Sequence, residues 1–488
     1  MSFSDKSIKK NFVYNTILTV VNIIFPLITF PYISRVLLVE AYGKVEFALS
    51  VINYFLMFSA LGIPVYGIRE CSRVRDDKQK LSKVVHELLL INIVMTVFSY
   101  LVFIILVLNV PRFSQDKTLF FVCSINLLLN FTGMNWLFSA LEEYRFISIR
   151  AVLVKGISFL TIILMVKQQD DFIIYAGLMA FANVGANIFN LLYSRKFVIF
   201  KHMSEYNFRR HIRPILILFA STVAISIYTN LNTLMLGFLS GDVEVGYYGA
   251  GNKIRSTIGV LIVSLSTVLL PRMSYLASTK KMDELKKLLV KSFHFLFLIS
   301  FPAIVYFTVF AKNFILFFAG EKYLGAVLPT QILVISLLCA GATGITGTQI
   351  LVPLLKEKEF FVSIAIAAVI DMLLNLFFIP KWGSVGAALS AAIAEMVVLV
   401  VQLFQTREIC FSLKIKRYMA LPALSSAIAI GITVVVMSRI DISIFLQVFI
   451  SASMFFAIYG IILCIGREEM ILEIMHRAIS RVIADKKK

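Results

Sequence analysis

Charge is what this sequence has least of. Only 15% of its 488 residues are Asp, Glu, Lys or Arg, against 59% hydrophobic. A soluble protein draws roughly a quarter of its residues from those four types to coat its surface, so a large soluble enzyme is excluded first. Acid is scarcer than base, 28 residues against 47, which leaves a formal charge of +19. Cysteine is sparse as well. Cys71, Cys123, Cys339, Cys410 and Cys464 lie far apart without metal-ligand spacing, and read as small apolar packing residues. The five His make no H-x-x-x-H pair, and no G-x-x-x-x-G-K phosphate loop occurs, so the chain shows neither a metal pair nor an ATP motor.

What is abundant is long apolar sequence. The mean hydropathy is +0.88, and a bilayer core of about 30 Å needs about 20 apolar residues per helix. That window predicts an all-α polytopic membrane protein with fourteen helices, at 11–34, 45–68, 84–109, 118–140, 151–166, 172–194 and 214–237, then 246–270, 292–311, 325–350, 361–380, 383–406, 418–438 and 442–466. The basic start followed by the run from Phe12 mimics a signal peptide. The run is too long for one and lacks a cleavage site, so a first membrane helix is expected.

The polar segments between helices alternate in Lys and Arg. One set, with the N-terminus, holds 35 of the 47 basic residues, and the other holds nine. The positive-inside rule then puts both termini in the cytoplasm, and most of the +19 becomes a topology signal rather than a sign of nucleic-acid binding. Three basic residues fall inside helices: Lys155, Lys253 and Arg255.

The chain also resembles itself at about half length. Glu40-Ala41-Tyr42-Gly43 precedes the second helix and Gly246-Tyr247-Tyr248-Gly249 begins the eighth, while Phe146-Ile147-Ser148-Ile149 and Phe361-Val362-Ser363-Ile364 stand near the starts of the fifth and eleventh. Two six-helix halves are expected, 1–200 and 201–410, with two helices and a basic tail appended at 411–488. Tyr42, Tyr247, Tyr248 and Tyr323 sit at predicted outer boundaries and are expected to form an interfacial belt. The stretch Gly341-Ala342-Thr343-Gly344-Ile345-Thr346-Gly347 offers either bending or close packing. The aromatic stripes are assigned to lipid or core.

Function is sought among charges that stay in the membrane, where each costs at least about 2.5 kcal/mol at a helix centre. Lys253 and Arg255 lie seven and nine residues beyond Gly246, roughly 10–14 Å deep. They form a cationic wall for a phosphate-bearing substrate, or are neutralised by an acid such as Glu46. Arg35 and Lys155 are further candidates, with interfacial anchoring and snorkelling as their plainer roles. Asp371 and Glu395 fall at similar depth on two helices joined by a short turn, and Asn375 shares the face of Asp371. Together they suit a coupling Na⁺ or proton, or interhelical pairing. No catalytic constellation stands out, and the longest outer segment, 312–324, is short, so an enzyme of polysaccharide assembly is disfavoured.

Three blocks carry a family resemblance. They are Phe30-Pro31-Tyr32-Ile33-Ser34-Arg35-Val36-Leu37, then Tyr42-Gly43-Lys44, then Leu61-Gly62-Ile63-Pro64-Val65-Tyr66-Gly67-Ile68-Arg69-Glu70. With Asn135-Trp136-Leu137-Phe138-Ser139-Ala140-Leu141-Glu142-Glu143-Tyr144, Val245-Gly246-Tyr247-Tyr248 and Pro271-Arg272-Met273-Ser274, the chain resembles bacterial Wzx-type oligosaccharide repeat-unit flippases. One departure is Leu38-Val39, where such proteins often have Gly. The resemblance implies the multidrug/oligosaccharidyl-lipid/polysaccharide exporter fold, two six-helix lobes around a central cavity, in the bacterial inner membrane. It implies a cargo of undecaprenyl-pyrophosphate-linked oligosaccharide and alternating access. It favours Lys253 or Arg255 as pyrophosphate contact, with Asn53, Asn230, Asn232 and Asn252 as candidate sugar lining. No cofactor or nucleic acid is implied beyond a coupling ion; polymerase and glycosyltransferases of the same assembly are the expected partners. A lipid II flippase and a drug or metabolite antiporter of the same fold stay open as alternatives.

Overall fold

The computed structural model describes residues 8–201 and 206–472, and every regular element among them is helical. Among the described residues ten helical stretches, including Lys78–Asn109, Met282–Val309 and Ile444–Ile465, are long and apolar enough to cross a membrane. The distribution of side chains says which solvent surrounds them. Along Lys78–Asn109 the exposed stripe is Val94, Val97, Phe98, Leu101, Ile105 and Leu108, all more than half exposed. Its opposite face buries Asn92, Thr96 and Ser99. Apolar outside and polar inside is the pattern of a helix in lipid. The protein is a multi-pass membrane protein.

Two rods are longer than one crossing, Ile8–Ala60 and Glu357–Gln405, and each contains one residue outside helical geometry. In the second it is Gly383, at φ 51°. A Cβ on Gly386 would lie 2.3 Å from the carbonyl oxygen of Phe378, eight residues earlier and about 12 Å away in a straight helix. Gln402 Nε2 donates to Ser363 Oγ at 3.0 Å across 39 residues. The rod is therefore a hairpin turning at Gly383. The first rod reverses likewise, since the Phe30 and Tyr42 rings stand 5.0 Å apart. Here the residue with positive φ is Leu38, at 58°, the position where the resemblance expects glycine. A side chain there is strained by about 1–3 kcal/mol.

Elsewhere expected single helices are divided. The run 118–140 becomes Lys117–Cys123, Ile125–Leu128, Asn130–Thr132 and Asn135–Ala140, with Met134 left-handed before the last piece. The glycine-rich stretch of the tenth predicted helix runs into a π-helical segment, Gly344–Leu351. It also packs closely: a Cβ on Gly341 would meet Leu296 at 2.2 Å, and one on Gly347 would meet the Phe360 ring at 2.5 Å.

By contact density the chain forms two compact units, Met1–Gly249 and Ala250–Lys488. In the first, Tyr66, Trp136, Phe138 and Ile215 belong to one apolar core. A Cβ on Gly67 would sit 2.7 Å from the Trp136 ring. The two self-similar motifs meet in this unit. Gly43 faces the Asp242 backbone so closely that a Cβ would fall 1.8 Å from its carbonyl oxygen, and one on Gly246 would fall 2.4 Å from that of Val39. Small residues let helix backbones touch, which is how helices associate in lipid. In the second unit Ile444–Ile465 docks on Met282–Val309 through Phe455 and through Tyr459, whose hydroxyl donates to Leu298 O at 2.9 Å.

The tyrosines expected at an interfacial belt are mostly interior. Tyr42, Tyr248 and Tyr323 are buried. The Tyr42 hydroxyl donates to Glu46 at 2.5 Å, so this phenol satisfies a carboxylate rather than reaching a headgroup.

Two substitutions test these readings. In an ordinary helix Ala is more stable than Gly by about 1 kcal/mol. At position 38 the order reverses, with Leu38→Gly unfolding above Leu38→Ala by a few degrees in detergent. Gly43→Ala lowers the unfolding temperature markedly, whereas Gly156→Ala, where nothing lies within 4 Å of the added carbon, does not.

Candidate functional site

Deep charges of opposite sign meet in the second unit. Arg255 lies on Asp242–Ser278, and its Nη2 stands 2.5 Å from Glu395 Oε1 on the second arm of the late hairpin. Arg255 Nε donates to Ser336 Oγ at 3.2 Å. Ser336 stands at the break between Val327–Ile335 and Leu337–Thr343. The Arg255 and Glu395 side chains are 22% and 9% exposed. The cation and carboxylate singled out separately in the sequence are thus one pair. Removing either partner of such a pair leaves the other charge in a medium that penalises it.

Lys253 and Asn252 are half-buried on the same helix. Asp371 and Asn375, four residues apart, share the buried face of the hairpin's first arm at 1% and 0% exposure. Two buried amides lie on this hairpin and beside it. Gln402 donates to Ser363 and accepts from Thr346 at 2.6 Å, while Gln349 accepts from Ser292 at 2.7 Å. Among the described residues no three His, Cys, Asp or Glu converge as a metal site.

The candidates in the first unit are dispersed. Arg35 is exposed and folds back onto its own helix, donating to Pro31 O at 2.5 Å. Lys155 donates to Asn22 Oδ1 at 2.6 Å and stands 5.4 Å over the Phe25 ring. Asn53 is exposed, and Asn232 is buried. Asn230 is half-buried and donates to Ser226 O and Thr229 Oγ1 at 3.3 and 3.0 Å.

Sequence reasoning missed a second buried ionic cluster. Glu87 is fully buried, accepts from Asn207 N at 2.7 Å and from Arg210 Nη2 at 2.6 Å, and lies 2.8 Å from His211 Nε2. The other nitrogen of His211 is 2.7 Å from the Tyr66 hydroxyl. The cluster ties Ile63–Arg73, Lys78–Asn109 and Arg209–Leu239 together. One signal existed: Glu87 is the only charged residue of the run 84–109. Arg112 likewise pairs with Asp242 and stands 4.6 Å over the Phe47 ring.

The chain has recognisable relatives. The chain is similar to two proteins named "Putative O-antigen transporter". One, from Escherichia coli (strain K12), is 24% identical over 82% of this chain and 96% of its own. The other, from Shigella dysenteriae, is 23% identical over 81% and 99%. Among solved structures, the inward closed conformation of the lipid II flippase MurJ superposes with a TM-score of 0.71 at 16% identity, covering 94% of this chain and 100% of that one. An inward-facing multidrug resistance MATE family transporter of the MOP superfamily gives 0.62 at 13% identity, over 83% and 99%. The MatE family matches residues 218–380, and the polysaccharide biosynthesis protein family matches residues 8–277. With more than half its length matched on an all-helical membrane fold, the chain belongs to the polysaccharide biosynthesis protein family.

Proposed function

We propose that this protein is a flippase of the bacterial inner membrane, carrying a lipid-linked oligosaccharide from the inner to the outer leaflet, and that it is a transporter rather than an enzyme. The observation that carries the reading is the Arg255–Glu395 pair at 2.5 Å, in a chain of the polysaccharide biosynthesis protein family. A pyrophosphate cannot enter about 30 Å of hydrocarbon unless protein cations replace its water. An arginine held by a carboxylate is a cation that cargo can borrow. The phosphate competes with Glu395 for the guanidinium, and Glu395 reclaims it on release.

In this reading the chain crosses the membrane fourteen times with both termini in the cytoplasm. Lys253 supplies the second positive charge toward the cargo. The acids Glu395 and Asp371, with Asn375, are where a proton or Na⁺ couples to the cycle, because neutralising Glu395 loosens its hold on Arg255. The cargo is an undecaprenyl-pyrophosphate oligosaccharide, with sugars lined by amide side chains. The glycosyltransferases that build the unit and the polymerase that consumes it act before and after this step.

Two experiments test it. Lys253→Gln with Arg255→Gln abolishes surface-polysaccharide export in cells while the protein still inserts; normal export by that double variant removes the cationic role and favours cargo without phosphate, as for a drug antiporter. Glu395→Gln frees Arg255 permanently. A pyrophosphate-lipid probe then binds about tenfold tighter, and turnover slows because release is lost. Unchanged affinity and unchanged turnover refute the exchange.

A further inference from the structure

The first unit holds two cations of a different kind, on a helix that begins seven residues before the predicted run 151–166 and so takes in Arg150. Arg150 and Lys155 lie five residues apart on Tyr144–Met165. Among the described residues no carboxylate lies within ion-pair distance of either, unlike Arg255. Both are held by neutral oxygens instead. Arg150 Nη2 donates to Asn135 Oδ1 at 2.9 Å and Nη1 to Ala186 O at 3.5 Å, and Lys155 donates to Asn22 Oδ1 at 2.6 Å. Arg150 Nε is buried with no hydrogen-bond partner. A cation inside a membrane helix without a counter-charge is costly, and an anionic ligand answers that cost.

The two cations share a cleft of about 280 Å³ also lined by Asn15, Asn22, Asn135, Asn183 and Asn187. These asparagines come from the first rod, Asn135–Ala140, Phe172–Val184 and Asn187–Ser194. All but Asn187 are exposed into that space. Amides present donor and acceptor side by side and carry no charge, which is the lining that sugar hydroxyls require. The volume suits the sugar next to a phosphate, not a whole repeat unit.

Arg150 also ends a second space, a groove of about 580 Å³ along the same helix. Its floor is Ile149, Leu153, Ile157 and Phe189, all exposed and apolar. Arg145 and Glu143 lie at its polar end, the latter accepting from the Tyr193 hydroxyl at 3.5 Å. With Lys155 from the adjoining cleft the four ionisable groups sum to a net positive charge. Apolar groove, unpaired arginine and amide cleft therefore follow one another in space, as chain, phosphate and sugar follow one another in a glycosylated lipid phosphate.

We propose that this face of the first unit is a seat for a lipid-linked sugar phosphate. The chain lies along Leu153 and Ile157, the phosphate meets Arg150 and Lys155, and the first sugar enters the asparagine cleft. The assignment rests on the flippase reading and adds a site to the cations at 253 and 255. Arg150, Lys155 and the asparagines are positioned for it before any ligand arrives.

The test uses the full-length protein in detergent with three probes: farnesyl pyrophosphate, farnesyl pyrophosphate bearing one N-acetylhexosamine, and dioleoylphosphatidylglycerol. Wild type binds the sugar-bearing probe about tenfold better than the sugar-free one, the worth of one or two good hydrogen bonds, and the phosphatidylglycerol competes weakly. Asn183→Leu, at an exposed position that leaves the unfolding temperature unchanged, abolishes the sugar preference while sugar-free binding persists. Arg150→Gln weakens both pyrophosphate probes about tenfold, and Arg150→Lys restores part of the loss. A retained sugar preference in Asn183→Leu, unaltered binding in Arg150→Gln, or equal competition by phosphatidylglycerol overturns the seat. Export in a strain lacking its own O-antigen transporter separates the two readings. If wild type restores export and both variants match it, only the seat falls; if wild type neither restores export nor binds the sugar-bearing probe, the flippase reading falls with it.

Discussion

A charge taken into hydrocarbon must be answered from within the same protein, and that requirement organises this molecule. Glu87 is fully enclosed and is met by His211, Arg210 and a backbone amide. Arg255 is met by Glu395 and Ser336. Each arrangement draws its parts from helices far apart in sequence, so each is also a clasp between them. Desolvation makes such clasps poor sources of net stability but severe penalties against any arrangement that breaks them. They define which helices belong together more than they hold them there.

Packing in lipid lacks the hydrophobic drive that builds soluble cores, so close backbone approach takes its place. Gly43 against Asp242 and Gly246 against Val39 are such approaches, Gly67 makes room for the Trp136 ring, and all three glycines fall within the blocks that carry the family resemblance. The same blocks hold Tyr66, which reaches His211, and Tyr42, which reaches Glu46. The most recognisable stretches of the sequence are accordingly the seams of the first unit.

The sequence disclosed what depends on composition and local period. Scarce charge and long apolar runs announced a multi-pass helical protein, and the rarity of membrane cations drew attention to Lys253 and Arg255. Leu38 stood out as a departure before its φ of 58° gave the reason a glycine is expected there. What stayed hidden depends on distance in the chain. Arg255 and Glu395 are 140 residues apart, and nothing in either neighbourhood names the other. The asparagines of the cleft come from four helical elements, and a single Asn in a membrane helix is unremarkable until its companions face it. Tyr42 misled because a phenol near a helix end suits a headgroup and a carboxylate of its own helix equally well.

The π-helical segment Gly344–Leu351 amounts to one surplus residue inside a helix. Its amides reach back five residues, as Val352 N does to Gly347 O at 3.0 Å, where an α-helix reaches four. Within it lie Thr346 and Gln349, each tied to a neighbouring helix by a buried bond. If the surplus travels one residue along the helix, the residue it passes turns by about 100° and shifts by about 1.5 Å. Such a defect can migrate without unfolding the helix, by exchanging one hydrogen bond for the next. The segment is a dislocation, and a dislocation lets a closely packed rod twist against its neighbours in discrete steps.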